Sequence, residues 1–229
     1  MIKQVKSKQR VADHGEVFTA EREVKAMCDL VKQETERIDS RFLEPACGDG
    51  NFLAEVISRK LTVVRKRYRK SVYDYERNSL LALGSIYGID ILQDNAEACR
   101  KKLFDIWNRE YKKVSKKEYC EETRKAAEYI LSRNIVCGNA LTLCCVDADG
   151  KDTKELIVFS EWTFPFNDAR IQRKDYTFDQ LLNGNATSKK KNKAKIQPSL
   201  FEDPEPEPEA EGKFLKQYIA HYKKVFEDG

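Results

Sequence analysis

The sequence predicts an α/β fold in which a mostly parallel sheet carries helices on both faces. Three observations predict it. Short apolar runs alternate with segments whose apolar residues recur at helical spacing, a glycine-containing turn joins the first run to the first long helix, and no internal repeat interrupts the alternation before residue 182. In order, "EREVKAMCDLVKQETERI" sets Val24, Met27, Cys28 and Val31 on one helical face, with Thr19 as N-cap and Glu21 and Glu23 in the first turn, where acids suit the helix dipole. "RFLEP" is a short strand that stops at Pro45, and Leu53, Val56, Ile57, Leu61 and Val64 continue as a helix. "SIYGIDIL" is a second strand, followed by a helix carrying Ala96, Cys99, Leu103 and Trp107. A further helix with Cys120, Ala127, Ile130 and Leu131 leads into "RNIVCGNAL", a third strand, and "ELIVFSEW" is a fourth.

Three segments differ in texture. Residues 1–182 hold the alternating pattern and form one domain. Residues 183–211 are a lysine run followed by an acid and proline run, too polar to bury a core, and are expected to be a disordered linker. Residues 212–229 place Phe214, Leu215, Tyr218, Ile219, Tyr222 and Phe226 at helical spacing, which predicts a short amphipathic helix that docks elsewhere.

Composition limits the function classes. With 229 residues, 41% of them hydrophobic, the chain can bury one substantial core. No run approaches the 18 or so apolar residues of a membrane span, and the basic opening "MIKQVKSKQR" has no apolar segment behind it, so a cytoplasmic protein without membrane contact is expected. Seven scattered cysteines lack paired metal-ligand spacing and read as reduced thiols, mostly in the core. The net charge of +4 permits a nucleic-acid partner without arguing for one.

The turn "EPACGDGNF" concentrates the chemistry. In parallel sheets, ligands bind beyond the carboxyl ends of the strands, and Gly48-Asp49-Gly50 falls there, before a helix whose first N–H groups are free. A tight strand-to-helix turn needs glycine for geometry alone, so both readings stand. Asp90 ends the next strand, where a carboxylate can accept the two hydroxyls of a ribose or can cap the following helix. A nicotinamide dinucleotide fits poorly because Leu53 stands where a third glycine is needed, and a P-loop lacks its lysine and hydroxyl residue. Acids at Glu44 and Asp49 favour a cationic sulfonium nucleoside over a polyphosphate.

Here the sequence resembles a known family. "FLEPACGDGNFL" is similar to the first motif of class I S-adenosyl-L-methionine-dependent methyltransferases, specifically the adenine-N6 DNA methyltransferases of restriction-modification systems. "GEVFTA" resembles their upstream G-x-[FY]-[FY]-T-P element, with Ala20 in place of proline; "IYGIDIL" and "IVCGNALTL" follow in the family's order, with Gly138-Asn139 where Gly-Asp is usual. The resemblance covers roughly residues 11–160. It implies a Rossmann-like domain that binds S-adenosyl-L-methionine, with Phe18 and Thr19 at the methionine portion, and Glu44, Ala46, Gly48, Asp49 and Gly50 in the loop around its amino-acid end. Asp90 would take the ribose, Ile91 would pack on the adenine, and Asn139 would accept from the adenine amino group. For Thr19, helix capping and cofactor contact are compatible.

The family's Asn-Pro-Pro-[Tyr/Phe] motif, which holds and polarises the target adenine, is missing. Its nearest match is Thr163-Phe164-Pro165-Phe166, which keeps Pro165 and Phe166 as candidate catalytic positions without the asparagine. Sixteen residues separate Phe166 from the linker, too few for the remaining strands of such a sheet, so the fold is expected to be incomplete relative to a full methyltransferase. A methyltransferase needing a second catalytic or specificity subunit, a non-catalytic DNA-associated module and a truncated relic are the open readings, and an RNA or protein substrate is not separated from DNA. In the linker, Gln197-Pro198-Ser199-Leu200-Phe201 resembles the bacterial sliding-clamp-binding peptide, with Gln197, Leu200 and Phe201 as its anchors; packing of Leu200 and Phe201 on their own domain is the alternative.

Overall fold

The strand Ile86–Asp90 (β2) is buried at all five positions, as a strand covered on both faces must be. The computed structural model in which it lies describes Arg10, residues 19–182 and residues 214–227. On one side β2 pairs in parallel with Phe42–Glu44 (β1), and on the other with Ile135–Asn139 (β3). Cys144–Val146 (β4) then adds antiparallel to β3, and Asp152–Leu156 (β5) antiparallel to β4. The fold is therefore α/β with a mixed five-stranded sheet, parallel only in its first three strands. The reason is chain length: residues 140–143 are too few for a crossover, so β4 must run back along β3.

Helices fill the two crossovers. Asn51–Tyr68 (α3, after Glu21–Leu30, α1, and the single turn Lys32–Thr35, α2) and Val72–Gly84 (α4) connect β1 to β2; Gln93–Ser115 (α5) and Glu121–Asn134 (α6) connect β2 to β3. Residues of all four helices join Ile86 and Ile135 in one buried cluster, which puts the four on one face of the sheet. Alternation along β2 agrees: Ile86 packs with Leu53, Leu80, Trp107 and Ile130, whereas Tyr87 and Ile89 point the other way, onto Ile157, Phe159 and Phe178. The expectation of helices on both faces is thus corrected. The second face is covered largely by the chain that follows β5.

That chain builds a second sheet. "ELIVFSEW" is not one strand: it breaks at buried Ile157, whose N–H donates to Leu143 O and whose carbonyl accepts from Phe178 N, and it resumes as Val158–Thr163 (β6). β6 pairs antiparallel with Arg170–Thr177 (β7), which pairs antiparallel with Lys216–His221 (β8). It passes the amino ends of β2 and β3, where Tyr87 Oη donates to Ser160 O (3.2 Å) and Ser160 N donates to Asn134 Oδ1 (3.1 Å). Trp162 then packs so closely on α4 that a Cβ on Gly84 would lie 2.8 Å from it.

The described part of the expected C-terminal helix is β8 and a following 3-10 turn, Tyr222–Lys224. Tyr218, Ala220 and Tyr222 alternate inward between exposed Gln217, Ile219 and His221. Tyr218 and Tyr222 satisfy the i, i+4 spacing of a helix and the i, i+2 spacing of a strand at once, and the unpaired edge of β7 selects the strand. The linker, including Gln197, Leu200 and Phe201, lies outside the described residues.

Candidate functional site

At the carboxyl ends of β1, β2 and β3 the chain leaves a cleft of about 490 Å³. Thr19, Glu44, Ala46, Gly48, Asp49, Asp90, Ile91 and Asn139, all singled out in the sequence, line it together. Phe18 lies outside the described residues. Gly50 sits just behind the wall as N-cap of α3, with φ +85°; a Cβ there would lie 2.6 Å from Cys99 Sγ, so both its backbone angle and its packing require glycine. Gly48, at φ +53°, makes the other left-handed step of the turn.

The loop is fastened from below. Cys47 N donates to Ile89 O (2.8 Å) and Gly50 N to Cys47 O (2.8 Å), so the turn is anchored on β2 before α3 begins. Asp90, only 8% exposed, organises the rest: its Oδ2 accepts from Gly48 N (2.8 Å), and its Oδ1 from Leu92 N (2.9 Å) and Asn95 Nδ2 (3.2 Å). One carboxylate thus ties the glycine turn to the start of α5. Oδ2 keeps one lone pair for a ligand hydroxyl, whereas Oδ1 is already engaged twice. The helix-start role and the ligand role are both compatible with this geometry.

Thr19 does not cap α1. Ala20 occupies the N-cap position, and its N–H donates to the Glu23 carboxylate (3.3 Å), which leaves the exposed Thr19 on the cleft wall. Asn139 is already engaged: Oδ1 accepts from Leu141 N (3.0 Å) and Nδ2 donates to Asp152 Oδ1 (3.0 Å), so the amide oxygen retains one lone pair. Ile91 stands 36% exposed at the cleft, an apolar surface with room for a flat ring.

Two acceptors in the cleft are buried and unmatched. Among the described residues, Glu44 Oε2 and Asp49 Oδ1 are shielded from solvent and meet no donor. The other Asp49 oxygen accepts from Lys102 Nζ (2.7 Å), which also donates to Asn51 Oδ1 (2.8 Å). Burial pushes the Glu44 carboxyl up to about 7, because the charged form loses its hydration there. A buried carboxylate without a donor costs free energy that a cationic or N–H-bearing ligand would relieve.

Asn51, Phe52, Asn95 and Leu141 also line the cleft and were not singled out in the sequence. Asn95 was findable, because an amide one helical turn beyond Asp90 faces back to it. Leu141 was not, because nothing in the sequence says that an apolar residue after β3 will stand 94% exposed at a cleft.

Pro165 and Phe166 are not brought here. They lie in the loop between β6 and β7, where Phe166 O accepts from Arg77 of α4 (3.2 Å) and the Arg170 guanidinium sits 4.0 Å from the Phe166 ring. The break at Ile157 explains this: it carries β6 away from the carboxyl ends of the parallel strands and into the second sheet. The two candidate catalytic positions therefore do not line the cleft with the other residues singled out in the sequence.

No protein-family profile matches this chain, and no curated protein or solved structure is significantly similar to it. Among the described residues no group of three or more His, Cys, Asp or Glu side chains is arranged to hold a metal ion, and no helix is long and apolar enough to cross a membrane.

Proposed function

We propose that the cleft binds S-adenosyl-L-methionine, and that the chain is a Rossmann-like subunit of a DNA methyltransferase of the adenine-N6, restriction-modification type. The observation that carries the reading is the pair of buried acceptors, Glu44 Oε2 and Asp49 Oδ1, without a donor among the described residues, beside a glycine turn in a cleft of about 490 Å³. The residues fit the group. Glu44 and Asp49 would meet the α-ammonium, Gly48 allows the backbone to approach the amino-acid portion, Asp90 would accept from a ribose hydroxyl, and Ile91 would pack on the adenine. An anionic polyphosphate would meet three carboxylates instead. When bound, the cofactor supplies an electrophilic methyl group on a sulfonium; the chain's own residues hold and orient it and exclude water from its charged end.

The acceptor and aromatic groups that present a target amine belong to a second chain in this reading, since Pro165 and Phe166 are exposed in the loop between β6 and β7 and do not line the cleft. The same displacement favours a second reading, a non-catalytic DNA-associated module, recruited by a methyltransferase or specificity subunit or by a sliding clamp through residues 197–201. An RNA or protein substrate is compatible with the cleft as well. Calorimetric titration with S-adenosyl-L-methionine and its demethylated product tests the binding step. Micromolar affinity, lost in Asp90→Ala while the fold persists, is the expected result; no heat from a folded wild-type protein at millimolar ligand sinks the reading.

A further inference from the structure

Far from the cleft, the ends of α3 and α5 converge on a groove of about 690 Å³ whose wall carries Arg65, Arg69, Lys70, Lys113, Lys116 and Lys117 beside a single acid, Glu118, and the small apolar Val72 and Val114. We infer that this groove is a docking surface for the phosphate backbone of duplex nucleic acid. The site is separate from the cleft. α3 starts at the glycine turn and runs 18 residues, roughly 27 Å at 1.5 Å per residue, before it reaches the groove.

Charge is concentrated here beyond what the chain's total suggests. Residues 65–70 and 109–119 together hold ten of the 42 Lys and Arg residues but only two of the 38 acids. Cations in a helix's last turn offset the helix dipole, which accounts for Arg65, Lys66 and Arg67. It does not account for Arg69 and Lys70, which follow the end of α3, or for Lys116 and Lys117, which follow α5. Glu110 joins the two lips, 3.4 Å from Arg65 and 2.6 Å from Lys113. Arg69, Lys70, Lys116 and Lys117 have no acidic partner within 4 Å among the described residues. Four like charges are thereby held around one concavity without an ion pair among the described residues, and the acids beside them, Glu110 and Glu118, are outnumbered by the cations.

The backbone adds an independent sign. Lys116 adopts φ +49°, a conformation that L side chains rarely take, and a glycine would be the ordinary residue at such a helix end. A lysine in that place turns the chain sharply while keeping a cation at the rim of the groove. The occupant's chemistry follows from the lining. A membrane surface would call for large apolar side chains beside the cations, and the exposed ones, such as Leu30, Leu141 and Leu182, lie elsewhere. Evenly spaced phosphates match two cationic lips.

The test is fluorescence anisotropy of the full chain with a labelled 20-base-pair duplex between 50 and 250 mM NaCl, compared with a variant carrying Arg69→Gln, Lys70→Gln, Lys116→Gln and Lys117→Gln. Each cation that neutralises a phosphate contributes about 0.9 to the salt slope, so the variant is expected to lose about 3 to 4 of that slope and at least tenfold in affinity at 50 mM salt. Its circular dichroism and its calorimetric response to S-adenosyl-L-methionine are expected to match wild type, so loss of the cleft's ligand and loss of this surface are read separately. Wild type that fails to bind the duplex at 50 mM salt, a variant that binds as wild type does, or tighter binding to vesicles of phosphatidylcholine and phosphatidylserine than to the duplex would overturn the inference.

Discussion

Glu44 shows what a single buried side chain can report about a ligand. Burial raises its carboxyl to about 7, so near neutrality it is about half protonated, and a cation placed against it must first displace that proton. Binding of an α-ammonium therefore releases a proton, and affinity rises with pH until the free carboxyl is ionised. Between pH 5.5 and pH 7 the calorimetric Kd for S-adenosyl-L-methionine is expected to fall about tenfold. Glu44→Gln is expected to flatten that profile, and a flat profile in wild type would remove Glu44 from the binding account. The sign for stability is the opposite. The unfolded chain gives up this proton near 4.5 and the folded one near 7, so as pH rises across that window this group costs the protein stability that a bound cation restores. Glu44, Gly48, Gly50 and Asp90 were legible in the sequence because chemistry and position coincide there: acids at strand ends, glycines where φ must be positive. The position of Phe166 was not legible, for the converse reason. Its residue type fits a base, but its location depends on a strand break at Ile157 that no local pattern announces.

At the level of elements, one carboxylate fastens the chain just beyond the last strand to three helices. Glu76, on α4 and 2% exposed, accepts from Tyr111 Oη of α5 and from Thr123 Oγ1 of α6 (3.0 Å). Its other oxygen accepts from Tyr222 Oη (2.5 Å) and Lys223 Nζ (3.2 Å), just beyond β8. Burial, reinforced by the Glu76 carboxylate, raises the Tyr222 hydroxyl, which keeps it protonated and donating. Three helices and the C-terminal segment thus share a single acceptor. Tyr222→Phe removes one donor to a charged group and is expected to cost about 1.5–3 kcal/mol. Glu76→Gln sets an amide among four donors and is expected to cost more, about 3–5 kcal/mol, each read as a lower midpoint in urea unfolding; midpoints equal to wild type would show that the segment is held by packing alone. The long helices were legible because their apolar stripes extend over several turns. β8 was not, because six residues with Tyr at i and i+4 satisfy two periods, and a partner strand far away in sequence chooses between them.

For the whole molecule, the question is whether two sheets make two folding units. The order β1-β2-β3-β4-β5 and the separate order β6-β7-β8 suggest a division, and the parallel start of the first sheet was legible from its strand and helix alternation, whereas the second sheet was not. Side-chain packing crosses the division. Trp162, Ile171, Tyr222 and Val225 of the second sheet belong to the same buried cluster as Trp107, Leu80 and Ile130 of the helices, and Asn134 joins Gly84 O to β6 through its side chain. Because one apolar core serves both sheets, exposing either surface exposes the other, and the described residues should unfold in a single transition. The two tryptophans provide the check, since Trp107 lies buried in α5 and Trp162 buried in β6. Trp107→Phe leaves only the probe in the second sheet, and Trp162→Phe leaves only the one among the helices. In each variant, the urea midpoint from fluorescence is expected to coincide with that from far-ultraviolet circular dichroism of the same variant. If the Trp162 signal is lost at lower urea than the helical signal in the variant that retains it, the second sheet is an independently melting layer, and its docking on α4 and α6 contributes little to holding the first sheet and its cleft together.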